Sequence, residues 1–255
     1  AHLARQPAFQ EALRRLQAEP APQVSLCGLT ATAKALYIAL LWRFSGRQLI
    51  VVVEDTRRLD LLAEPLAAFF DLVAPGGGRP QALPELDVLP GQHLSPHSEI
   101  SEERAVALWR LAAERPPVTV TPVASALLKT EEAAFYRQLA LTLRAGEEAP
   151  FEDVIAHLEA VGYQRRDPVE MVGEYSVRGG ILDVFSPHAS RPVRIEFLGD
   201  FVESMRLFEV ESQRSVVKTD QCTLLPMAES LRSPQALARL REIAGRPAAP
   251  GEEDA

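Results

Sequence analysis

Residues Gly28–Ala35 have the spacing of a phosphate-binding loop, in which Gly-x-x-x-x-Gly-Lys-Ser/Thr holds the phosphates of a nucleotide. The first glycine, Gly28, and the lysine, Lys34, are in place. Ala33 replaces the second glycine, so a Cβ occupies the position where the backbone approaches a phosphate. Ala35 replaces the hydroxyl residue that holds Mg²⁺. The pattern predicts a degenerate P-loop without a working ATPase site; the alternative for Lys34 is a solvated lysine at a helix start.

Arginine is the second residue type that could carry function, because it recurs between residues 165 and 206. One interpretation is a set of solvated strand charges that pair with nearby glutamates. The other is a protein-docking surface, since the planar guanidinium is favoured at interface hot spots. The arginines considered are Arg165, Arg166, Arg178, Arg194 and Arg206, and the glutamates are Glu170, Glu174, Glu196 and Glu203.

Phe185 is an aromatic candidate for the same surface. Seven residues separate it from Arg178, which would put the two on opposite faces of an unbroken strand. Gly179-Gly180 lies between them and can host a bend or bulge that resets this parity. Burial in the core is the alternative interpretation for Phe185.

Metal sites and disulfide frameworks are not indicated. Cys27 and Cys222 are too few for a disulfide framework or a four-cysteine zinc site. His93 and His97 have the spacing of paired helical ligands, but Pro96 breaks the helix that would align them, so we expect two loop histidines. No apolar run approaches the 18 residues typical of a membrane span. These features predict a reduced, cytoplasmic protein with no membrane partner.

The overall charge disfavours one class of protein. The 255 residues include 27 Lys or Arg and 35 Asp or Glu, which gives a net charge of −8. This balance argues against a surface coated with basic residues for tight nonspecific DNA binding. The length allows one large domain or two small ones. The missing initial Met and the small, polar end GRPAAPGEEDA predict a segment of a longer protein.

The elements of the first half predict an α/β fold. Helical patterns alternate with short apolar runs, and the β-branched run 48–54 is typical of a strand buried on both faces of a parallel sheet. Thr56 and Ser101 are expected to cap the helices that follow them, and Asp55 to cap the end of a strand. The predicted helices are 8–18, 32–44, 57–70 and 102–114, and the predicted strands are 24–27, 48–54 and 118–121.

The second half changes to an antiparallel pattern. Residues 193–197 alternate apolar and charged side chains, and Gly199-Asp200 predicts a tight turn to a partner strand at 201–209. Together the segments predict a compact α+β module. Its predicted elements are the helix 151–161 and the strands 141–144, 169–172, 174–178, 180–185, 193–197 and 201–209.

Three stretches together resemble one family. They are Gly28–Leu36 with the strand after it, LPGQHLSPHSEISEERAVALWRL at 89–111, and above all GEYSVRGGILDVFSPHASRPVRIEFLGDFVESMRLFEVESQRS at 173–215. The chain resembles the N-terminal region of the bacterial transcription-repair coupling factors (Mfd), which is itself similar to the damage-recognition helicase UvrB. UvrB fits less well, because it has an intact P-loop and a tyrosine-rich hairpin, whereas residues 89–100 contain no tyrosine.

The resemblance implies a domain organisation. Residues 1–130 would form the first part of a degenerate RecA-like helicase domain with a parallel sheet. Residues 131–212 would form an inserted, smaller α+β domain that is UvrB-like and binds UvrA. Residues 213–255 would return to the first domain, where 224–228 could add a strand.

The resemblance also implies binding residues for UvrA. Arg178 matches the arginine of the family's SVRGG-like motif, and Phe185 matches the aromatic residue of its LD-x-F element. The basic position that follows the family's GY dipeptide falls on Gln164, with Arg165 next, so Arg165 is the third candidate contact.

The implied function is non-catalytic recruitment of UvrA, which links stalled transcription to nucleotide excision repair. Asp183 and Glu174 are expected to hold the arginines in place. In this family, ATP and DNA translocation belong to later domains, so this segment needs no cofactor. RNA polymerase and duplex DNA would bind other domains of the full-length ATP-dependent translocase. The alternatives are a UvrB-like ATPase or helicase fragment acting on damaged DNA, which Ala33 and Ala35 disfavour, and a DNA-binding module, which the net charge disfavours.

Overall fold

The chain divides into two compact units. The computed structural model describes residues 3–18, 23–76, 78–88 and 96–231. The boundary between the units falls between Ala134 and Phe135, whereas the sequence predicted it at 130/131. Within the described residues, no helix combines the length and the apolar character needed to cross a membrane.

The first unit is built on a parallel sheet, as the alternating pattern predicts. Its three strands lie in the order β1-β3-β2, and both pairs are parallel. The strands are β1 (Leu49–Val53), β2 (Gln81–Ala82) and β3 (Val118–Pro122). The helices are α1 (Pro7–Gln17), α2 (Ala31–Ser45), α3 (Thr56–Val73), α4 (Ser98–Ala113) and α5 (Val123–Ala126), with α6 (Ala133–Arg137) at the boundary.

The apolar face predicted for α3 forms the core of this unit. Leu59, Leu62, Leu66 and Phe70 are all buried, and they pack with α2 and the strands β1 and β3. Burying such side chains stabilises the unit by about 1.5–3 kcal/mol each. The helix begins one residue earlier than predicted, because the Asp55 carboxylate accepts a hydrogen bond from the Arg58 amide at 2.8 Å.

Two predicted caps are therefore wrong. Thr56 is the first residue of α3, and Asp55 is its cap. Ser101 lies inside α4, which begins at Ser98 after His97. Cap positions shift readily because several Ser, Thr and Asp residues near a helix start can each satisfy its free amides.

Two predictions about strands of the first unit are also wrong. Residues 24–27 do not form a strand, because they pair with no neighbouring strand in the described part of the chain. The strand β1 is partly buried on one face and exposed on the other, where Ile50 and Val52 are 69% and 53% exposed. Its alternate residues, Leu49, Val51 and Val53, pack against the core shared with α2 and α3. The strand order β1-β3-β2 places this apolar run at the edge of the described sheet.

The second unit is built mainly from antiparallel strands. Its larger sheet has six strands in the order β10-β9-β8-β7-β6-β5, and a second sheet pairs β11 with β4. The helix is α7 (Phe151–Ala160). The strands are β4 (Leu141–Arg144), β5 (Gln164–Arg165), β6 (Glu174–Arg178), β7 (Ile181–Val184), β8 (Val193–Leu198), β9 (Phe201–Phe208), β10 (Ser215–Thr219) and β11 (Gln221–Leu224).

The strand patterns of this unit are largely confirmed, with one exception. Gly199-Asp200 joins β8 to β9 as predicted, and Gly199 has a positive φ of 61°. Residues 169–172, predicted as a strand, form an irregular loop between β5 and β6. The backbone of this loop bonds to side chains instead of to a neighbouring strand.

The described residues after 213 form two strands of the second unit, β10 and β11. The strand β10 pairs with β9, and β11 pairs with β4, so both belong to the second unit. Leu224, the first residue of the strand expected to join the first domain, lies opposite Leu141 and is buried. Residues 232–255 of the predicted return lie outside the described part of the chain.

The turn between β6 and β7 depends on Gly180. A Cβ at this position would lie 2.7 Å from the carbonyl oxygen of Phe197, whose amide donates to the Gly180 carbonyl at 2.7 Å. We expect Gly180→Ala to lower the free energy of unfolding by about 1–3 kcal/mol, because the backbone of β8 must move. Urea unfolding measures this change.

The neighbouring Gly179 is the control for this prediction. It has a positive φ of 61°, and a Cβ added there would meet no atom within 4 Å. Asparagine tolerates this backbone region, so Gly179→Asn should cost no more than about 1 kcal/mol. Equal losses of stability in the two variants would contradict the close approach at Gly180.

Candidate partner-binding surface

The two-residue turn Gly179-Gly180 decides which side chains share a face of the sheet. It joins β6 to β7 so that Arg178 lies opposite Ile181 and Ser176 lies opposite Asp183. Because side chains alternate along a strand, Arg178 and Asp183 occupy the same face. The sequence allows a bend at Gly179-Gly180 that changes which side chains share a face. The structure has such a change, because these two glycines form a hairpin turn.

Asp183 is a buried carboxylate shared by two arginines. Its side chain is 1% exposed, and it lies directly opposite Arg194 on β8. Arg194 donates from Nε to Oδ1 at 2.7 Å and from Nη2 to Oδ2 at 2.8 Å. Arg178 donates from Nη2 to Oδ2 at 2.5 Å. These contacts agree with the expectation that Asp183 holds the arginines in place. The same expectation for Glu174 is wrong, because its carboxylate accepts from the amides of Glu170 and Met171 instead.

Arg194 is held by several partners and is 18% exposed. Beyond Asp183, it donates to the carbonyl of Gln213 at 3.3 Å, and its guanidinium carbon lies 4.8 Å from the centre of the Phe208 ring. The hydrogen bonds with Asp183 raise the pKa of Arg194 above its ordinary value. A guanidinium with this set of partners serves the fold rather than a docking partner.

Arg178 is the arginine of this pair that faces solvent. Its side chain is 46% exposed, and its Nη1 lies 3.9 Å from a carboxylate oxygen of Asp167. One short hydrogen bond to Asp183 fixes the guanidinium while other N–H groups stay available. Such a group can donate to an incoming carboxylate without first losing much conformational freedom.

Phe185 lies at the opposite end of the β6–β7 hairpin from Arg178. It follows β7, its amide donates to the Glu174 carbonyl at 3.0 Å, and its ring is partly buried. Continued alternation from Asp183 puts it on the face of Arg178. Phe185 lies four positions after Ile181, the residue opposite Arg178. Phe185 and Arg178 are therefore separated by about 13 Å along the strand direction.

Arg165 lies on the other face of the sheet. It pairs with Tyr175, which is buried in the core and is three residues from Arg178. The Tyr175 hydroxyl donates to Glu159 at 2.6 Å, and burial together with this bond raises the pKa of Tyr175 to about 12. The structure therefore does not bring Arg165 onto the face of Arg178, whereas the exposed Arg166 follows on that face by alternation.

The residues of the degenerate P-loop form the N-terminal cap of helix α2. Gly28 has a positive φ of 77°, and the Thr30 hydroxyl accepts from the Ala33 amide at 3.3 Å. The Lys34 amide donates to the Thr30 carbonyl at 2.8 Å, and Ala35 is buried in the core. Lys34 lines an open groove of about 430 Å³ with mainly apolar walls from α2, β1 and α3. The amides of Ala33 and Lys34, which a phosphate would need as donors, therefore donate to Thr30 instead.

The remaining candidate ligands do not converge. His97 contacts Asp87 at the start of α4, and His93 lies outside the described residues. The thiols of Cys27 and Cys222 are free, and burial raises the pKa of Cys222 to about 12. In the described ranges, no three His, Cys, Asp or Glu side chains are placed to hold a metal ion.

The second unit is similar to a known domain. Residues 141–229 match the family model described as the UvrB interaction domain. The match extends from β4 to beyond β11, and it covers the strands that carry Arg178, Asp183 and Arg194.

Relatives that match most of the chain include transcription-repair-coupling factors from several bacteria. Over 249 residues, it is 39% identical to the transcription-repair-coupling factor of Mycobacterium tuberculosis, and the match covers 94% of the chain. The factor of Myxococcus xanthus is 36% identical over 86% of the chain, and that of Escherichia coli is 27% identical over 79%. The chain is a relative of the transcription-repair-coupling factors, which confirms the resemblance, and it spans 17–19% of the length of these three proteins.

The Asp183 cluster yields a prediction about stability. We expect Arg194→Gln to lower the free energy of unfolding by about 3 kcal/mol, because it removes both strong bonds from a buried carboxylate. Arg178→Gln should lower it by about 1 kcal/mol or less, because this partner is exposed. Urea unfolding of both variants tests the difference, and equal losses would contradict the separate roles of the two arginines.

The rearranged loop at Gly28 yields a prediction about nucleotides. We expect no measurable heat of binding when millimolar Mg-ATP is titrated into the chain, because the groups that hold phosphate and Mg²⁺ are missing. Lys34→Ala should leave this result unchanged. Micromolar binding that Lys34→Ala abolishes would overturn the prediction.

Proposed function

We propose that the UvrB interaction domain of this chain docks UvrA and thereby recruits it to stalled transcription complexes for nucleotide excision repair. The observation that carries the proposal is the exposed guanidinium of Arg178, held on the buried carboxylate of Asp183. The match of residues 141–229 to the UvrB interaction domain and the transcription-repair-coupling relatives support this role.

The docking chemistry is a charge-assisted contact on a preorganised arginine. Arg178 would donate its remaining N–H groups to a carboxylate of UvrA, with a bidentate pair as the strongest geometry. Because Asp183 already orders the guanidinium, binding costs less side-chain entropy than it would for a free arginine. Phe185 adds apolar area on the same face, whereas Arg165 lies on the other face of the edge strand β5, so its cation belongs to the rim of this surface.

The first unit contributes no catalysis in this proposal. It is a degenerate RecA-like helicase domain, whose parallel sheet and altered loop at Gly28 support a lost nucleotide site. ATP, duplex DNA and RNA polymerase would engage other parts of a cytoplasmic, ATP-dependent translocase. A chain that spans less than a fifth of its relatives' length leaves room for those domains.

Two other functions are weaker candidates. A UvrB-like ATPase or helicase fragment would need the phosphate and Mg²⁺ groups that Ala33 and Ala35 replace. A DNA-binding module would need an extended basic surface, whereas the chain has a net charge of −8 and Arg194 is committed to Asp183.

The proposal predicts the effect of reversing one charge. Arg178→Glu should weaken UvrA binding roughly 30-fold or more, because it removes a central contact and adds repulsion. The domain should stay folded, since Arg194 keeps its two bonds to Asp183, but the melting temperature should fall by a few degrees because the new carboxylate lies beside Asp183 and Asp167. Titration calorimetry with UvrA and thermal melting of the same samples measure both effects.

Arg144→Glu is the matched control for this charge reversal. Arg144 is 54% exposed and lies on β4, in the other sheet of the same unit. Its reversal should leave UvrA binding within about twofold of the unmodified chain. Unchanged affinity for a folded Arg178→Glu variant, or equal losses in both variants, would refute the docking assignment.

A further inference from the structure

The loop that joins β5 to β6, Arg166–Gly173, adjoins both Arg178 and Phe185, the two candidate contacts on one face of the sheet. We propose that this loop forms the centre of the docking surface and that Met171 is its apolar anchor. The inference rests on the proposed UvrA-docking function and identifies the chemistry that the partner must present. It assigns a binding role to a segment in which the sequence pattern predicted a strand.

The side chain of Glu174 holds the loop in one shape. Its Oε2 atom accepts hydrogen bonds from the amides of Glu170 and Met171, both at 2.9 Å. Gln213 donates to the Val169 carbonyl at 3.1 Å, and the Val169 side chain is fully buried. A loop fixed by three backbone bonds and a buried side chain loses little entropy when a partner binds.

The loop touches the surroundings of both predicted contacts. Near its start, Asp167 lies 3.9 Å from a guanidinium nitrogen of Arg178. At its end, the Gly173 amide donates to the Phe185 carbonyl at 2.8 Å. The two ends of the loop therefore adjoin the two residues that are predicted to contact UvrA.

The tip of the loop is apolar, and charges of both signs surround it. Met171 is 68% exposed, and Val172 beside it is 36% exposed. Arg166, Asp167 and Glu170 are exposed as well. The complementary partner surface is an apolar socket for the thioether, with a carboxylate facing Arg178 and none facing Asp167 or Glu170. Methionine suits such a socket because its unbranched side chain adapts to the shape of the pocket.

Leu198 provides a matched control for Met171. It is 71% exposed, and it lies at the β8–β9 turn in the same unit. That turn is tied to the segment before α7, since the Ala149 amide donates to the Asp200 carbonyl at 2.7 Å. The two residues thus separate an effect of position from a general effect of removing exposed apolar area.

The test is the affinity of the full 255-residue chain for UvrA, measured by titration calorimetry. Met171→Ser should weaken binding about tenfold, and Leu198→Ser should leave it unchanged. Met171→Leu should keep most of the affinity, because it retains the apolar volume. Glu174→Ala should weaken binding and speed amide exchange at Glu170 and Met171, since both amides lose their acceptor.

The outcomes separate this inference from the proposed function. If the unmodified chain does not bind UvrA, the proposed function itself fails. If it binds, and Met171→Ser retains full affinity or loses no more than Leu198→Ser, the inference is overturned while the docking function stands. A loss confined to Met171→Ser and Glu174→Ala, with Met171→Leu close to the unmodified chain, supports the loop as the centre of the surface.

Discussion

Asp183 carries a charge at a position that is almost closed to water, so its carboxylate needs strong partners. The strand register places Arg194 directly opposite, where its planar fork matches both carboxylate oxygens. This pair connects β7 with β8, and Arg194 continues the contacts to Gln213 and Phe208. Because Arg194 satisfies the structural need, Arg178 can share the same carboxylate and still face solvent.

The surface around Arg178 is preorganised in the free chain. The Gly179-Gly180 turn sets the register, Asp183 orders the guanidinium, and Glu174 fixes the adjoining loop. Each device reduces the entropy lost on association, so a small number of contacts can give a useful affinity.

Local sequence patterns predicted the helices, strands and turns well where residues close in sequence determine the structure. The run at β1, the buried face of α3 and the Gly199-Asp200 turn are of this kind. Patterns failed at residues 24–27 and 169–172, because an apolar run becomes a strand only if another strand satisfies its backbone. The pairing of β11 with β4 joins distant segments, so composition could not reveal it. The candidate contacts came from the family resemblance, whereas the Asp183–Arg194 pair and the exposure of Met171 follow from register and loop shape.

Oxidative footprinting with mass spectrometry tests the central claim most directly, because the chain has three methionines in different environments. Met171 is highly exposed, Met205 is fully buried, and Met227 packs against Gly173. If UvrA docks on this surface, saturating UvrA should strongly slow oxidation of Met171, while labelling of the exposed Val217 on β10 stays at the rate of the free chain. Oxidation of Met171 at the free rate within a saturated UvrA complex would contradict the account.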